Sequence, residues 1–321
     1  MRWAAVVCGL CLALGSTSAD AQQRSALIVS GATGGSEYAE QYAAWTDSFS
    51  RTLTGPMKLD PSRITVLSET AEADRSATAA NVRRAIAALR ARMTRDDLLI
   101  ILLIGHGTSD GEVAKFNLVG PDMDASEWAS LLQPLRGHVA VINSTAGSFP
   151  FIERLSGPRR IVIAATDSVA QRFDTVFPEY FVRAFEDESA DLDKNARVSL
   201  WEAFASASAA VRRHYQQRGQ LSTERSLLDD NGDGVGRSAS EQGSDGSLAT
   251  HTYLDENLPG AAPTDEALLA LLQRKALVET ELDELKIRRA FLQRGEYLEE
   301  FERIITELAK VSSAIRQRGG S

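Results

Sequence analysis

The sequence predicts an α/β protein, a three-layer sandwich with a mostly parallel central sheet, followed by a C-terminal α-helical hairpin. Strand-like and helix-like segments alternate along most of the chain, which is the pattern of a parallel sheet covered by helices. The run LLIILLIG at 98–105 is apolar throughout, as in a strand covered on both faces. Residues 263–318 instead carry apolar residues near heptad spacing, which indicates paired helices.

The predicted strands and helices follow in chain order. We expect strands over 25–31, 63–69, 98–105, 139–143 and 160–166. We expect helices over 37–53, 77–93 and 124–135, and again from 176 onward. A polar loop is predicted between the third strand and residue 124. A Gly- and Ser-rich mobile loop is predicted over 236–250.

The C-terminal segment predicts an antiparallel hairpin of two helices. Thr264, Asp265 and Glu266 form a typical helix start. The stripe of the first helix is interrupted by Lys275 and Arg289, and we expect a break at Gly295. The two apolar stripes are Leu268, Leu271, Val278, Leu282, Leu285, Leu292, and then Tyr297, Phe301, Ile304, Leu308, Val311, Ile315. The hairpin packs on its own domain or on itself, or it associates with a partner helix, including that of a second copy.

The first residues have the order of a secretory signal peptide. Arg2 precedes an apolar run from Trp3 to Leu14, and small residues end the segment at Ala21. Cleavage there predicts a periplasmic or secreted protein. The apolar run is too short for a mature anchor and no later run reaches transmembrane length, so we expect no membrane span after cleavage.

Composition argues against cysteine chemistry in the mature chain and against a nucleic-acid partner. Cys8 and Cys11 are the chain's two cysteines, and both lie within predicted signal peptide 1–21. The mature chain would therefore have no disulfide, thiolate metal site or cysteine nucleophile. The formal net charge of −9 provides no basic field for a polyphosphate backbone, so we expect no nucleic-acid partner.

Chemistry-bearing residues follow two predicted strands. His106 follows the run at 98–105, and Asn143, Ser144 and Thr145 end or follow the run at 139–143. In an open α/β sheet, reactive groups gather at the carboxyl ends of the strands. We therefore expect His106 to face the small hydroxyl residues.

Three segments resemble the clan of caspase-like cysteine peptidases, and legumain-like members above all. They are the stretch DDLLIILLIGHG, the preceding helix TAANVRRAI and the apolar strand at 139–143. The resemblance covers roughly residues 25–185 and implies a caspase-like sandwich, with a domain over 22–258. It also implies that His106 stands in the place of the catalytic histidine. The nucleophile's place falls on Ser144, counted back from Gly147 and Ser148, or on Thr145, counted from the strand.

Three functional hypotheses remain, and the absence of a thiol favours one without catalytic activity. A thiol with a pKa of about 8.5 ionises readily, whereas a hydroxyl requires a positioned base. We expect a catalytically degenerate homologue that binds a peptide or protein partner. The alternative is an active hydrolase or transpeptidase that uses Ser144 or Thr145 with His106. In a third hypothesis, the hairpin alone drives a structural assembly.

Two acidic loops have the spacing of EF-hand-type calcium ligands. In 191–202, the ligand positions one, three, five, seven, nine and twelve are Asp191, Asp193, Asn195, Arg197, Ser199 and Glu202. Ala196 occupies the sixth position, where glycine is usual, so we expect a strained left-handed residue there. In 229–240, Asp229, Asn231 and Asp233 follow the same register, but the twelfth position is Ser240. Calcium is the expected ion, as a structural staple.

Overall fold

The structure is a computed structural model that describes residues 22–110, 113–171, 173–255 and 265–319. A six-stranded sheet lies at its centre, in the order β2-β1-β3-β7-β8-β9. The pairs from β2 to β8 are parallel, and β9 pairs with β8 in the antiparallel direction. The six strands are β1 (Arg24–Ser30), β2 (Ile64–Ser68), β3 (Leu98–Ile104), β7 (His138–Asn143), β8 (Arg160–Ala164) and β9 (Leu227–Asp229).

Helices cover both faces of this sheet. They are α1 (Ser36–Thr54), α2 (Ala79–Arg92), α3 (Ala125–Leu132), α4 (Phe149–Leu155), α5 (Phe177–Ala184) and α6 (Leu200–Gln217). Alternate residues of β3 enter opposite cores, because successive side chains of a strand point to opposite faces. Ile100 and Leu102 pack with α1, α5 and α6, whereas Ile101 and Leu103 pack with α2, α3 and α4. The fold is therefore the predicted three-layer α/β sandwich.

Three features differ from the predicted elements. The expected polar loop after β3 contains a small antiparallel sheet of β4 (Gly107–Ser109), β5 (Ala114–Phe116) and β6 (Met123–Asp124). The helix α4 and the edge strand β9 were not predicted. All of these elements are short, and the strands among them exist because they pair with distant neighbours, which a local pattern does not record.

The C-terminal hairpin consists of α7 (Glu266–Arg288) and α8 (Arg294–Gly319). Its base joins the core of the sandwich, and its outer half has a small core of its own. The base residues that enter the large core are Leu268, Leu269, Leu272, Val311 and Ile315. The outer core is formed by Val278, Leu285 and Ile304. The hairpin therefore packs both on its own domain and on itself.

One detail of the predicted hairpin is confirmed and one is corrected. Asp265 is the N-cap of α7 and accepts hydrogen bonds from the backbone of Ala267 and Leu268. Thr264 lies outside the described residues. The chain reverses through a short turn at Arg289–Phe291, so Gly295 lies inside α8 rather than at the break.

The predicted signal peptide, residues 1–21, lies outside the described residues, as do the last residues of the predicted 22–258 domain. Across the ranges that the structure describes, no helix combines the length and the apolar character needed to cross a membrane.

Candidate functional site

His106 lies at the carboxyl edge of the sheet, directly after β3 and Gly105. Its Nδ1 lies 3.0 Å from Oδ1 of Asp174, and its Nε2 lies 3.2 Å from the hydroxyl of Tyr42 and 3.1 Å from the carbonyl oxygen of Thr33. The ring of Tyr38 packs edge-on against the imidazole, with 4.7 Å between centroids. Both ring nitrogens therefore have hydrogen-bond partners within this cluster.

Ser144 and Thr145 follow β7, the strand next to β3, and both are buried. The hydroxyl of Ser144 donates to the carbonyl oxygen of Leu103 at 2.6 Å. The hydroxyl of Thr145 donates to Oδ1 of Asn143 at 2.9 Å. Within the described part of the chain, His106 makes no hydrogen bond to either hydroxyl.

The two strand ends nevertheless lie in close contact. A Cβ atom added to Gly107 would lie 2.3 Å from Oγ1 of Thr145, and one added to Gly147 would lie 2.9 Å from the carbonyl carbon of Gly107. Only glycine permits this approach of the two backbones. The structure thus brings the predicted residues together at one edge of the sheet, with both hydroxyls buried and hydrogen-bonded to acceptors other than the histidine.

Asp174 is a site residue that the sequence analysis missed. The residues around it hold it in place: Thr175 donates its hydroxyl to the carbonyl oxygen of Ser144, and Tyr38 donates to the Asp174 carboxylate. The hydrogen bond from its hydroxyl to Asp174 raises the pKa of Tyr38. Burial raises the pKa of Tyr42. Asp174 lies in an irregular segment with no recognisable spacing, so no sequence signal marks it.

The start of α5, just after Asp174, is held by a buried glutamate. Glu224 accepts hydrogen bonds from the backbone N–H groups of Val176 at 2.7 Å and Phe177 at 3.1 Å. The hydroxyl of Tyr215 donates to the same carboxylate. Burial raises the pKa of Glu224. Glu224 therefore holds the segment that presents Asp174 to His106.

The first acidic loop, 191–202, winds around the carboxylate at its first position. Asp191 accepts hydrogen bonds from the backbone N–H groups of Asn195 at 3.1 Å and Ala196 at 3.0 Å. Ala196 has a φ of 65°, as the missing glycine predicted. A residue with a Cβ is strained in this region.

Three acids of this loop converge. One ligand oxygen from each of Asp191, Asp193 and Glu202 lies within 4.8 Å of the others. Burial and the nearby charge of Glu202 raise the pKa of Asp193 to about 7, and burial raises the pKa of Glu202. Buried carboxylates of like charge are costly without a cation or a proton. The donor set therefore fits a divalent cation.

Two other predicted ligands of the first loop have different roles. The side chain of Arg197 pairs with Asp255 and lies 3.8 Å over the ring of Tyr253, so only its backbone carbonyl is left for an ion. The hydroxyl of Ser199 accepts from the backbone N–H of Glu202 at 3.2 Å, and the Glu202 carboxylate accepts from the backbone N–H of Ser199 at 2.9 Å, which together form a capping box. The capping box engages the Ser199 hydroxyl and places Glu202 in the first turn of α6, facing the loop.

The second acidic loop includes a third acid that was not predicted. Asp229 accepts from the backbone of Gly232 and Gly234, at 3.0 and 2.6 Å. Asp229, Asp233 and Asp245 form the second cluster with ligand oxygens within 4.8 Å. Asn231 hydrogen bonds to Asp233 within the loop.

Asp245 supplies a third carboxylate, which the loop register lacks because its twelfth position is Ser240. It also pairs with Arg237. Burial is the largest cause of the raised pKa of Asp245. It lies beyond the twelve-residue window, and for that reason the loop pattern did not find it.

The fold and the site define a class: an α/β sandwich protein whose described residues include two acidic clusters able to hold a metal ion. No family model and no curated protein matches the chain. It is similar in structure to protein GSU0716 from Geobacter sulfurreducens, a crystal structure that is 12% identical, with a TM-score of 0.39. The similarity covers 64% of this chain and 92% of that one. A likeness this distant leaves the fold to be described from its own geometry.

Proposed function

We propose that the chain is an exported, catalytically degenerate relative of the legumain-like, caspase-like peptidases that binds a peptide or protein partner at the edge around His106. One observation carries this proposal. His106 and the residues after β7 lie side by side, as the resemblance requires, yet the hydroxyls of Ser144 and Thr145 are buried and donate to other oxygens.

The hydrogen bonds of the two hydroxyls favour binding over hydrolysis. A serine or threonine nucleophile needs a base within about 3 Å that accepts its proton. The acceptors here are the carbonyl oxygen of Leu103 and the amide oxygen of Asn143, and neither is a useful base. Activation by His106 would require both side-chain rotation and the loss of its present hydrogen bonds.

The surroundings of His106 suit contact with a peptide. Asp174 has half of its side chain exposed, and Phe173 beside it is 66% exposed. An exposed aromatic side chain and a carboxylate are groups that bind extended peptides at protein interfaces.

A peptide library incubated with the chain from residue 22 onward tests the proposal. We expect peptides to be retained without turnover, and retention to fall in His106→Ala and Asp174→Ala, which alter the exposed cluster. His138→Ala is the matched control, because His138 lies at the opposite end of the sheet, where β7 begins. Mass spectrometry of the retained and released peptides provides both readouts.

Turnover would contradict the proposal. If peptides are cleaved or joined, and the reaction is lost in His106→Ala and in either Ser144→Ala or Thr145→Val, the chain is a hydrolase or transpeptidase with a hydroxyl nucleophile. Covalent capture of either hydroxyl by an acylating probe would lead to the same conclusion.

Calcium is the ion that we propose for the two acidic clusters. Hard carboxylate and carbonyl oxygens without sulfur or imidazole suit calcium or magnesium, and irregular loops that wrap around the ion suit calcium. In the first cluster, Asp191, Asp193 and Glu202 would hold the ion. In the second, Asp229, Asp233 and Asp245 would do so. The ion would stabilise the loops without taking part in chemistry.

A further inference from the structure

The turn between α7 and α8 is strongly basic. We call residues 285–295 the hairpin tip. Their sequence, LKIRRAFLQRG, contains no acidic residue, although the whole chain has a net charge of −9. The basic residues of the tip are Lys286, Arg288, Arg289 and Arg294. The tip therefore carries four positive charges, between the flanking acids Glu284 and Glu296.

The same turn exposes large apolar side chains. Phe291 is 87% exposed and Ile287 is 56% exposed, and Leu298, one turn into α8, is 51% exposed. Ile305 is also 39% exposed, whereas most other large apolar residues of the hairpin are buried or partly buried in its two cores. Exposed apolar side chains do not stabilise the folded state, because they stay in contact with water. Several of them together at one turn therefore indicate a binding surface.

Three of the tip's cations have partners within the hairpin. Arg288 lies 3.0 Å from Glu300, and Lys286 lies 3.2 Å from Asp283. The guanidinium of Arg289 lies 5.5 Å from the centre of the Tyr297 ring. Exposed ion pairs contribute little to stability, so these cations can turn to an external anion at small cost.

The tip extends beyond the acidic body. Among the described residues, the outermost ion pair between the hairpin and the sandwich joins Arg212 to Asp283, at 3.6 Å. Phe291 follows Asp283 by eight residues (291 − 283), which corresponds to about 12 Å of helix rise. The Debye length at physiological ionic strength is about 8 Å. Phe291 therefore lies more than a Debye length beyond the last of these ion pairs with the sandwich.

We propose that the hairpin tip binds the surface of an anionic phospholipid bilayer. Lysine and arginine side chains pair with lipid phosphates, while Phe291 and Ile287 enter the boundary of the acyl chains. Nucleic acid would satisfy the arginines but would leave the aliphatic Ile287 and Leu298 in water. The combination of charge and apolar exposure therefore fits a lipid surface better than a polyanion. This surface is independent of the cleft around His106.

Vesicle flotation with the chain from residue 22 onward tests the proposal. Vesicles of pure phosphatidylcholine are compared with vesicles of phosphatidylcholine and phosphatidylglycerol in equal parts. We expect the protein to bind only the anionic vesicles, and binding to weaken as sodium chloride is raised. The double variant Arg289→Gln, Arg294→Gln should lose roughly tenfold or more in affinity, because each charge near the surface contributes to attraction. Phe291→Ser should weaken binding as well.

Matched variants separate the tip from general effects. Arg92→Gln with Arg95→Gln removes the same charge from exposed positions on the body. Leu221→Ser removes an apolar side chain that is 91% exposed elsewhere. Both controls should bind as the unmodified chain does. The proposal is overturned if the unmodified chain ignores anionic vesicles, if the tip variants bind as well as the controls, or if the tip binds DNA and no vesicle.

Discussion

At the scale of single residues, Ala196 has a strained backbone conformation that the sequence predicts and that a stability measurement can test. The loop register places glycine at this position, alanine occupies it, and the backbone keeps the left-handed conformation with φ of 65°. The backbone N–H groups of Asn195 and Ala196 donate hydrogen bonds to the Asp191 carboxylate. These bonds hold the loop in this conformation. The loop therefore tolerates the strain because its acidic centre requires the turn.

Replacing this alanine should stabilise the chain. Ala196→Gly relieves about 1–2 kcal/mol of left-handed strain and costs about 0.4–1 kcal/mol through the freer unfolded chain. We expect a net gain between zero and about 1.6 kcal/mol in the free energy of unfolding, measured by urea denaturation. Ala209→Gly, inside α6, is the control and should destabilise by about 1 kcal/mol. A loss in both variants would mean that the loop relaxes in solution.

At the candidate site, the sequence predicts the positions of some residues but not the directions of their side chains. His106, Ser144 and Thr145 were placed correctly at adjacent strand ends, because the carboxyl ends of parallel strands share one edge. The direction of each hydroxyl was beyond prediction, since it depends on the nearest acceptor in three dimensions. Asp174 and Asp245 were missed for the same reason: each reaches its site from a segment distant in the chain.

At the scale of elements, the base of the hairpin is part of the main core. Leu272 of α7 is fully buried in the large core of the sandwich, whereas Leu298 of α8 is about half exposed. Deleting residues 263–318 would therefore remove core side chains as well as any interface. Self-association through the hairpin stays a prediction, and a test of it has to leave the base intact.

A pair of leucine substitutions measures this difference. Leu272→Ala should lower the free energy of unfolding by about 2–5 kcal/mol, because it opens a cavity between hairpin and sandwich. Leu298→Ala should change it by less than about 0.5 kcal/mol. Urea denaturation of both variants provides the comparison. Equal, small effects would show that the hairpin base is detached in solution.

Long elements were predictable and short ones were not. The helix α2 and the strand β3 have periodic or uniform apolar patterns over many residues, and both were predicted to within a few residues. The strands β4, β5, β6 and β9 have two or three residues each, too few to form a period. Their pairing partners, rather than their own composition, make them strands.

At the scale of the whole molecule, the acidic loops would link a bound cation to global stability. A cation that binds the folded chain stabilises it in proportion to the logarithm of its concentration. The first loop ends in the capping box of α6, and the second follows the edge strand β9. An ion in either loop would therefore stabilise the sandwich itself.

Calorimetry of the chain from residue 22 onward measures this linkage. Calcium at roughly 100 times its Kd should add about 2.7 kcal/mol per site and raise Tm by roughly 5 °C or more, reversibly on chelation. Asp193→Asn should lose the contribution of the first site, and the exposed control Asp47→Asn should keep it. An unchanged Tm at millimolar calcium would remove both sites.

The two ends of the hairpin differ in what surrounds them. Arg318, near the end of α8, lies 2.6 Å from Asp265 at the start of α7, so the hairpin closes at its base. Phe291 lies 27 residues (318 − 291) before Arg318, or about 40 Å along the helix. A fluorescent protein or affinity tag joined after α8 would therefore emerge beside the sandwich, on the side away from the turn, and would report the molecule's orientation without blocking that turn.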